Sequence, residues 1–388
     1  MLLTQTRIMA AFLASVMCCA TGVRAQDEAA PSEKGHGSTG FRLSFYNNGD
    51  SGDGNPFLDE ALTVIEPVFL FDYNVSDKTA YWAKLSYDYV SSASIDRLNK
   101  FPDQSGATGD YYVGVDVGWR HKLSADKQVG AFGHVSKEYD YTSVGFGGNV
   151  SKTLNDRGAT VKWSGNAFVD QVDIIRFNGK EDEGTDTRLS LATTINWYQI
   201  MSPVTHGDVG VTLGYQDGFL ETAYNAVVIE DVATLNPNLH NNAAGREITE
   251  ELPDTRLRGA VFGRVRHYLQ SGSSVELGGR LYADDWGIAG VSVEPRYYRW
   301  LVEDELKLRL RYRFYTQTEA DDYQEQFLTE TPFRTQDSDL ADFQSNTGGV
   351  QFEWFRSDTV RYDASIDYVM RSDGLDQFIG SFGYRRSF

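Results

Sequence analysis

The sequence predicts an all-β protein, a transmembrane antiparallel up-and-down β-barrel of about 16 strands. Three observations lead there. Apolar and polar residues alternate with period two through most of the chain beyond residue 38, which is the strand signal. The connections between the alternating runs are sorted, with short turns at every second place, while those between them can be long and acidic. The last run ends in an aromatic residue preceded by apolar residues at alternate positions, Phe378, Phe382, Tyr384 and Phe388, as barrel strands handed to assembly machinery commonly do; Arg386 departs from the pattern.

The elements follow in order. Arg7 opens a short basic segment, "IMAAFLASVMCCA" is an apolar stretch, and Val23, Arg24 and Ala25 before Gln26 form a small-residue cleavage site, so residues 1–25 read as a secretory signal peptide. The stretch is shorter than the ~20 apolar residues a transmembrane helix needs. Cys18 and Cys19 leave with it, so disulfides, iron–sulfur clusters and covalent haem are not expected. Residues 26–38 read as a flexible periplasmic leader and 39–388 as the barrel.

Alternating runs are expected at 40–46, 62–73, 80–90, 111–119, 128–140, 143–153, 159–171, 188–199, 208–216, 255–268, 274–284, 288–300, 305–315, 346–355, 359–371 and 376–388. "YYVGVDVGW" sets Tyr111, Val113, Val115, Val117 and Trp119 on one face, and "ELKLRLRYRFY" sets Leu306, Leu308, Leu310, Tyr312 and Phe314 against Lys307, Arg309, Arg311 and Arg313. The long connections are 47–60, 91–108, 172–187, 217–254 and 317–345; the short ones are 74–78, 123–127, 154–158, 202–207, 270–273, 302–305 and 356–358. Short turns on one rim and long loops on the other are the outer-membrane arrangement, with the short rim periplasmic. A barrel this wide holds water, so its apolar parity faces lipid and its polar parity the lumen.

Charge narrows the partners. The 388-residue chain carries a formal net charge of −19. Loss of Arg7 and Arg24 with the signal peptide would leave it more acidic still, which argues against nucleic acid. With apolar parity outward, a basic ladder is expected in the lumen from Arg256, Arg258, Arg264, Arg266, Arg280, Arg296, Lys307, Arg309, Arg311 and Arg313. Glu66, Asp72, Asp116, Asp363 and Asp367, with Arg42 among them, form a mainly acidic sector. Such charges between low-dielectric walls focus the field and bias which ions enter. The competing expectation is that the arginines pair with carboxylates on neighbouring strands or in an inward-folded loop, because like charges directly across a strand pair are unfavourable.

Several stretches resemble a family of bacterial outer-membrane barrels catalogued only as a domain of unknown function, DUF3570: "YDYVSSAS" (87–94), "SKEYDYTSVGFGGNVSKTLNDRGAT" (136–160), "ELPDTRLRGAVFGRVRHYL" (251–269), "LYADDWGI" (281–288), "LRYRFYTQTEADDY" (310–323) and "DSDLADFQS" (337–345). The resemblance implies the fold and supplies no catalytic residue.

Other candidate sites are weaker. Asp50, Asp53 and Asn55 in "NNGDSGDGNP" offer oxygen ligands for Ca²⁺, but not in EF-hand register, and an ordinary turn is preferred. The runs 180–186 and 319–325 are acidic enough to bridge lipopolysaccharide through divalent cations, although solvated loop tips are the simpler reading. His36, His121, His134, His206, His240 and His267 show no ligand spacing; His134 is expected in the lumen and His267 near the periplasmic interface. Ser136 beside His134 on one strand face is the one hint of a nucleophile and base, without a recognisable third member. The expected function is therefore a porin-like channel for small polar or anionic solutes, with no cofactor, no metal and no enzymatic activity. A non-conducting barrel that scaffolds or anchors an envelope complex is the alternative, and a barrel hydrolase the less favoured third.

Overall fold

The computed structural model describes residues 33–49, 62–92, 108–138, 140–154, 158–175, 182–222, 225–230, 245–270 and 272–388. The signal segment 1–25, the Ca²⁺ candidates Asp50, Asp53 and Asn55, and His240 lie outside them.

Alternation becomes ladder along the whole chain. The strands are β1 (Gly37–Gly49), β2 (Leu62–Ser76), β3 (Thr79–Ser92), β4 (Thr108–Lys122), β5 (Lys127–Lys137), β6 (Tyr141–Leu154), β7 (Ala159–Ile175), β8 (Asp182–Ser202), β9 (Thr205–Gly218), β10 (Ala226–Ile229), β11 (Arg246–Thr249), β12 (Thr255–Leu269), β13 (Ser273–Asp284), β14 (Ala289–Val302), β15 (Leu306–Gln317), β16 (Phe343–Ser357), β17 (Val360–Arg371) and β18 (Asp376–Ser387). All but β10 and β11 form one closed barrel of sixteen antiparallel strands, with β9 paired to β12 and β1 to β18. Closure abolishes the sheet edge, as hydrocarbon requires when no water can satisfy free N–H and C=O groups. The last residue completes the seam: Gly37 N–H donates to the Phe388 carbonyl at 2.8 Å and Phe388 N–H donates back at 3.0 Å.

Two details depart from expectation. β1 begins at Gly37, inside the segment expected to be leader, and Gly35 N–H donates to the Asn74 carbonyl at 2.8 Å. Several strands outrun their alternating pattern, β8 starting at Asp182 where alternation starts at Arg188. Hydrogen-bonded pairing needs no apolar face, so it continues past the bilayer where both faces are wet.

Side-chain direction separates the faces. Leu310 and Tyr312 are 43% and 46% exposed, and the same parity on other strands presents Leu85, Val115, Val135, Ile195, Leu277 and Ile366 outward. The opposite parity buries Ser86, Asp88, Arg120, Asp170 and Glu276. On β3 and β4 the outward pairs Tyr81–Trp119 and Tyr89–Tyr111 bracket Leu85 and Val115. Eight residues separate the two aromatic levels, about 27 Å along a strand. A tilt of roughly 40° brings that near the roughly 25 Å apolar band of outer-membrane barrels.

One rim joins its strands by short turns throughout, and both ends of the described chain lie there. Gly158 and Asp304, both at φ +57°, supply the left-handed backbone that two of these turns require. The other rim carries the long loops, and two of them fold on each other. The β9–β12 loop holds the β10–β11 hairpin, where Val227 and Ile229 pack with Phe327 of the β15–β16 loop into a small core. A parallel bridge from Ile229 to Phe327 and an antiparallel one from Glu251 to Arg334 tie the loops together. They leave from the two margins of the β12–β15 wall, so their meeting caps that wall's mouth. The β13–β14 turn joins them, with Asp321 N–H donating to the Trp286 carbonyl at 2.8 Å.

Candidate functional site

The inner parity of β12 to β15 brings the basic residues together, and carboxylates come with them. Arg256 donates to Asp284 at 2.9 Å through Nε and lies 4.2 Å over the Trp286 ring. Glu276, buried on β13, serves three guanidinium groups: Arg296 at 3.0 Å, Arg266 at 3.3 Å and Arg264 at 3.9 Å. Arg264 also reaches Asp208 at 3.2 Å, and Arg296 pairs with Glu294 on its own strand. Lys307 stands 3.8 Å from Glu353, and Arg311 donates to Asp367 at 2.7 Å. Aromatic faces take up further positive charge, Arg266 lying 3.8 Å over Tyr298 and Arg313 lying 5.3 Å over Tyr315. Arg280 stands in register with Ser292 across β13 and β14.

Arg258 and Arg309 are different. Among the described residues neither makes an ion pair, and Arg258 Nε is buried without a hydrogen-bond partner. An unsatisfied buried donor costs about 1–3 kcal/mol, more when charged, so an anion or water at this place is favourable.

The acidic set is interlaced with cations as well. Asp72 pairs with Arg120 across β3, Asp363 accepts from Arg42 at 3.0 Å, and Asp367 is the partner of Arg311. Asp116 accepts from or shares a proton with His134 at 2.7 Å. Glu66 is in register with Ser44 on β1. Two of the pairs reach across an intervening strand at a glycine. In register, Gly349 separates Arg311 from Asp367, and Gly383 separates Arg42 from Asp363. A Cβ at either glycine would overlap the aspartate carboxylate, so the missing side chain is what lets each bridge form.

Sequence reasoning passed over Asp208, Asp284, Glu276, Glu294 and Glu353, the acids inside the basic wall. Each was findable, since each lies on the parity assigned to the lumen. It also passed over a second polar cluster in the cap. There Glu250 accepts from Thr335 Oγ1 at 2.6 Å and from Thr222 N–H at 2.7 Å, and Asn225 bridges Glu250 to Asp337 at 3.3 Å each. Complete burial, with the Asp337 carboxylate close by, pushes the Glu250 carboxyl up to about 7. No alternation marks these residues, because their meeting depends on how two loops pack.

The remaining candidates fall as follows. Phe378, Phe382 and Phe388 are exposed on the outer face, and the Tyr384 ring packs tilted against Tyr362 at 5.3 Å. Arg386 shares their face at the turn rim, where a lipid-facing cation costs far less than at the midplane. His267 Nδ1 lies 2.8 Å from Thr205 at the same rim. His121 contacts Thr79 at 2.9 Å, His36 lies 3.4 Å from Glu33, and His206 packs 5.6 Å from Tyr198. Among the described residues no cluster of His, Asp and Glu has metal-binding geometry.

A closed barrel with an apolar outer belt, a charged inner face and loops sorted by rim is an outer-membrane β-barrel. The solved structures agree on the fold: the chain is similar to a "Bacterial polysaccharide outer membrane secretin" at 10% identity and a TM-score of 0.50, covering 90% of this chain and 98% of that one. Weaker likenesses include the "CymD monoaromatic hydrocarbon channel" (10% identity, TM-score 0.43, 92% and 89% coverage). OccAB3 of Acinetobacter baumannii is another (9% identity, TM-score 0.43, 91% and 99% coverage). The chain belongs to the family described as "Protein of unknown function (DUF3570)", which matches residues 102–384. No curated protein sequence matches it.

Proposed function

We propose that the protein is a porin-like channel that passes small polar or anionic solutes along the basic wall of its lumen. One observation carries the reading: Arg256, Arg264, Arg266, Arg296, Lys307 and Arg311 pair with carboxylates of the wall, whereas Arg258 and Arg309 make no ion pair among the described residues. A sixteen-strand barrel is too wide for side chains alone to fill, which leaves a watery path past them. Fixed charge in such a path biases the ions that enter. Transport of this kind needs no covalent chemistry. Residues 1–25 would direct export, the Phe388 strand would be read by barrel-assembly machinery, and acidic loops such as 319–325 would meet lipopolysaccharide through divalent cations.

The cap supports a second reading, a non-conducting barrel that anchors an envelope complex. Two loops with a shared core of Val227, Ile229 and Phe327 stand at the mouth of the basic wall. Single-channel recording in planar bilayers separates the two. A channel gives discrete steps and a reversal potential displaced toward anions, and the double variant Arg258→Gln/Arg309→Gln moves it toward cations. Absence of steps from folded protein, at any pH between 5 and 8, would sink the channel and leave the scaffold.

A further inference from the structure

Away from the basic wall, three polar residues on β4 and β5 line up in a chemically ordered way. His134 Nδ1 lies 2.7 Å from Asp116 Oδ1, and His134 Nε2 lies 3.1 Å from Ser136 Oγ. The carboxylate holds the proton on Nδ1, which leaves Nε2 to accept from the Ser136 hydroxyl. This is the hydrogen-bond connectivity of a nucleophile, its general base and the group that orients the base.

We propose that Ser136, His134 and Asp116 form a hydrolytic triad on the inner wall, acting on short-chain carboxylic esters that enter from the long-loop rim. The surroundings are shaped for it. Gly114 faces Ser136 across β4 and β5, and Gly145 faces His134 across β5 and β6. A Cβ at Gly114 would overlap the Tyr112 hydroxyl, and one at Gly145 would overlap the Phe168 ring. The two glycines therefore make room for aromatic walls beside the nucleophile and the base. Phe168 meets the His134 ring edge-on at 5.5 Å, fixing its plane. The Tyr112 hydroxyl hydrogen-bonds to Ser136 and packs beside it in the space left by Gly114. Ser136 is one residue from the end of β5 at the long-loop rim, and its side chain is buried at 3% exposure, so the reaction takes place in a pocket shielded from bulk water.

The reaction balances with water as the only co-reactant. Ser136 Oγ bonds to the acyl carbon while its proton passes to His134 Nε2. The bond from that carbon to the alcohol oxygen breaks, and the same proton goes to the leaving oxygen. Water, deprotonated by Nε2, then releases the carboxylic acid and returns the proton to Ser136.

The test uses the full mature barrel, folded in detergent micelles, so that it is independent of whether the barrel conducts. Folding is followed by heat-modifiable gel migration. Wild-type protein is treated with a fluorophosphonate and mapped by mass spectrometry, and turnover is measured with p-nitrophenyl acetate and butyrate. A covalent adduct on Ser136 is expected. Ser136→Ala and His134→Gln should lower turnover by at least about 100-fold, the scale of a lost general base. Asp116→Asn, which holds the wrong ring tautomer, should lower kcat more than it raises KM. No adduct on wild-type Ser136, an adduct only elsewhere, or turnover equal in wild type and Ser136→Ala would overturn the proposal. Labelling of wild type needs no variant to fold.

Discussion

Gly349 shows how much a single missing side chain decides here. It stands in register between Arg311 and Asp367, and the ion pair passes over it at 2.7 Å. Gly349→Val should push the carboxylate off Arg311, freeing one cation and one anion, so the reversal potential should move little while open-channel noise rises. By contrast, Arg309→Gln removes a cation that makes no ion pair among the described residues. It should shift the reversal potential toward cations, whereas the neutral double exchange Arg311→Gln/Asp367→Asn should leave it in place. Equal shifts for the two would contradict the pairing scheme. On the other face Leu310→Arg places a cation toward mid-membrane lipid, with an expected loss of about 2–4 kcal/mol in reversible unfolding.

The cap is the element with its own titration. Glu250 is buried and hydrogen-bonded to Thr335 and Thr222, with its carboxyl raised from 4.5 to about 7. The folded loops therefore bind a proton that the separated loops release. Their mutual stability is fully present below about pH 4.5, declines as pH rises through the raised value, and is flat above it. Hydrogen exchange of Arg246–Thr249 and Val227–Ile229 should quicken between pH 5 and 8 in wild type. In Glu250→Gln it should depend on pH only through the chemical exchange rate itself. A wild-type protection factor that stays constant across that range would show that Glu250 does not govern the cap.

At the scale of the molecule, the proposed channel sets the barrel and the cap against each other. The sixteen strands close into one ring, and the β9–β12 and β15–β16 loops are joined to each other at the long-loop end of the β12–β15 wall. Replacing the cap core with charge, as in Val227→Asp/Ile229→Asp, should part the loops without touching the strands, because both side chains are fully buried in the cap and neither lies in the barrel. Single-channel conductance should then rise severalfold. An unchanged conductance, with heat-modifiability retained, would mean that the cap stands aside from the path.

Sequence alone determined the strand number, the order of the strands, the rim on which each loop lies and the face each side chain shows, for a local reason. The period of a strand is two, hydrocarbon admits only a closed ladder, and a turn of a few residues joins only antiparallel neighbours. All sixteen barrel strands are therefore legible in short runs such as "ELKLRLRYRFY". Tertiary structure alone decided which charges meet. Parity places Glu276 and Arg296 on the inner face, but their 3.0 Å contact depends on register between strands; Asp116 reaches His134 at 2.7 Å only because their strands pair in that register. The cap lay further beyond reading, since Val227 and Phe327 are a hundred residues apart in the chain and no periodicity links one loop to another.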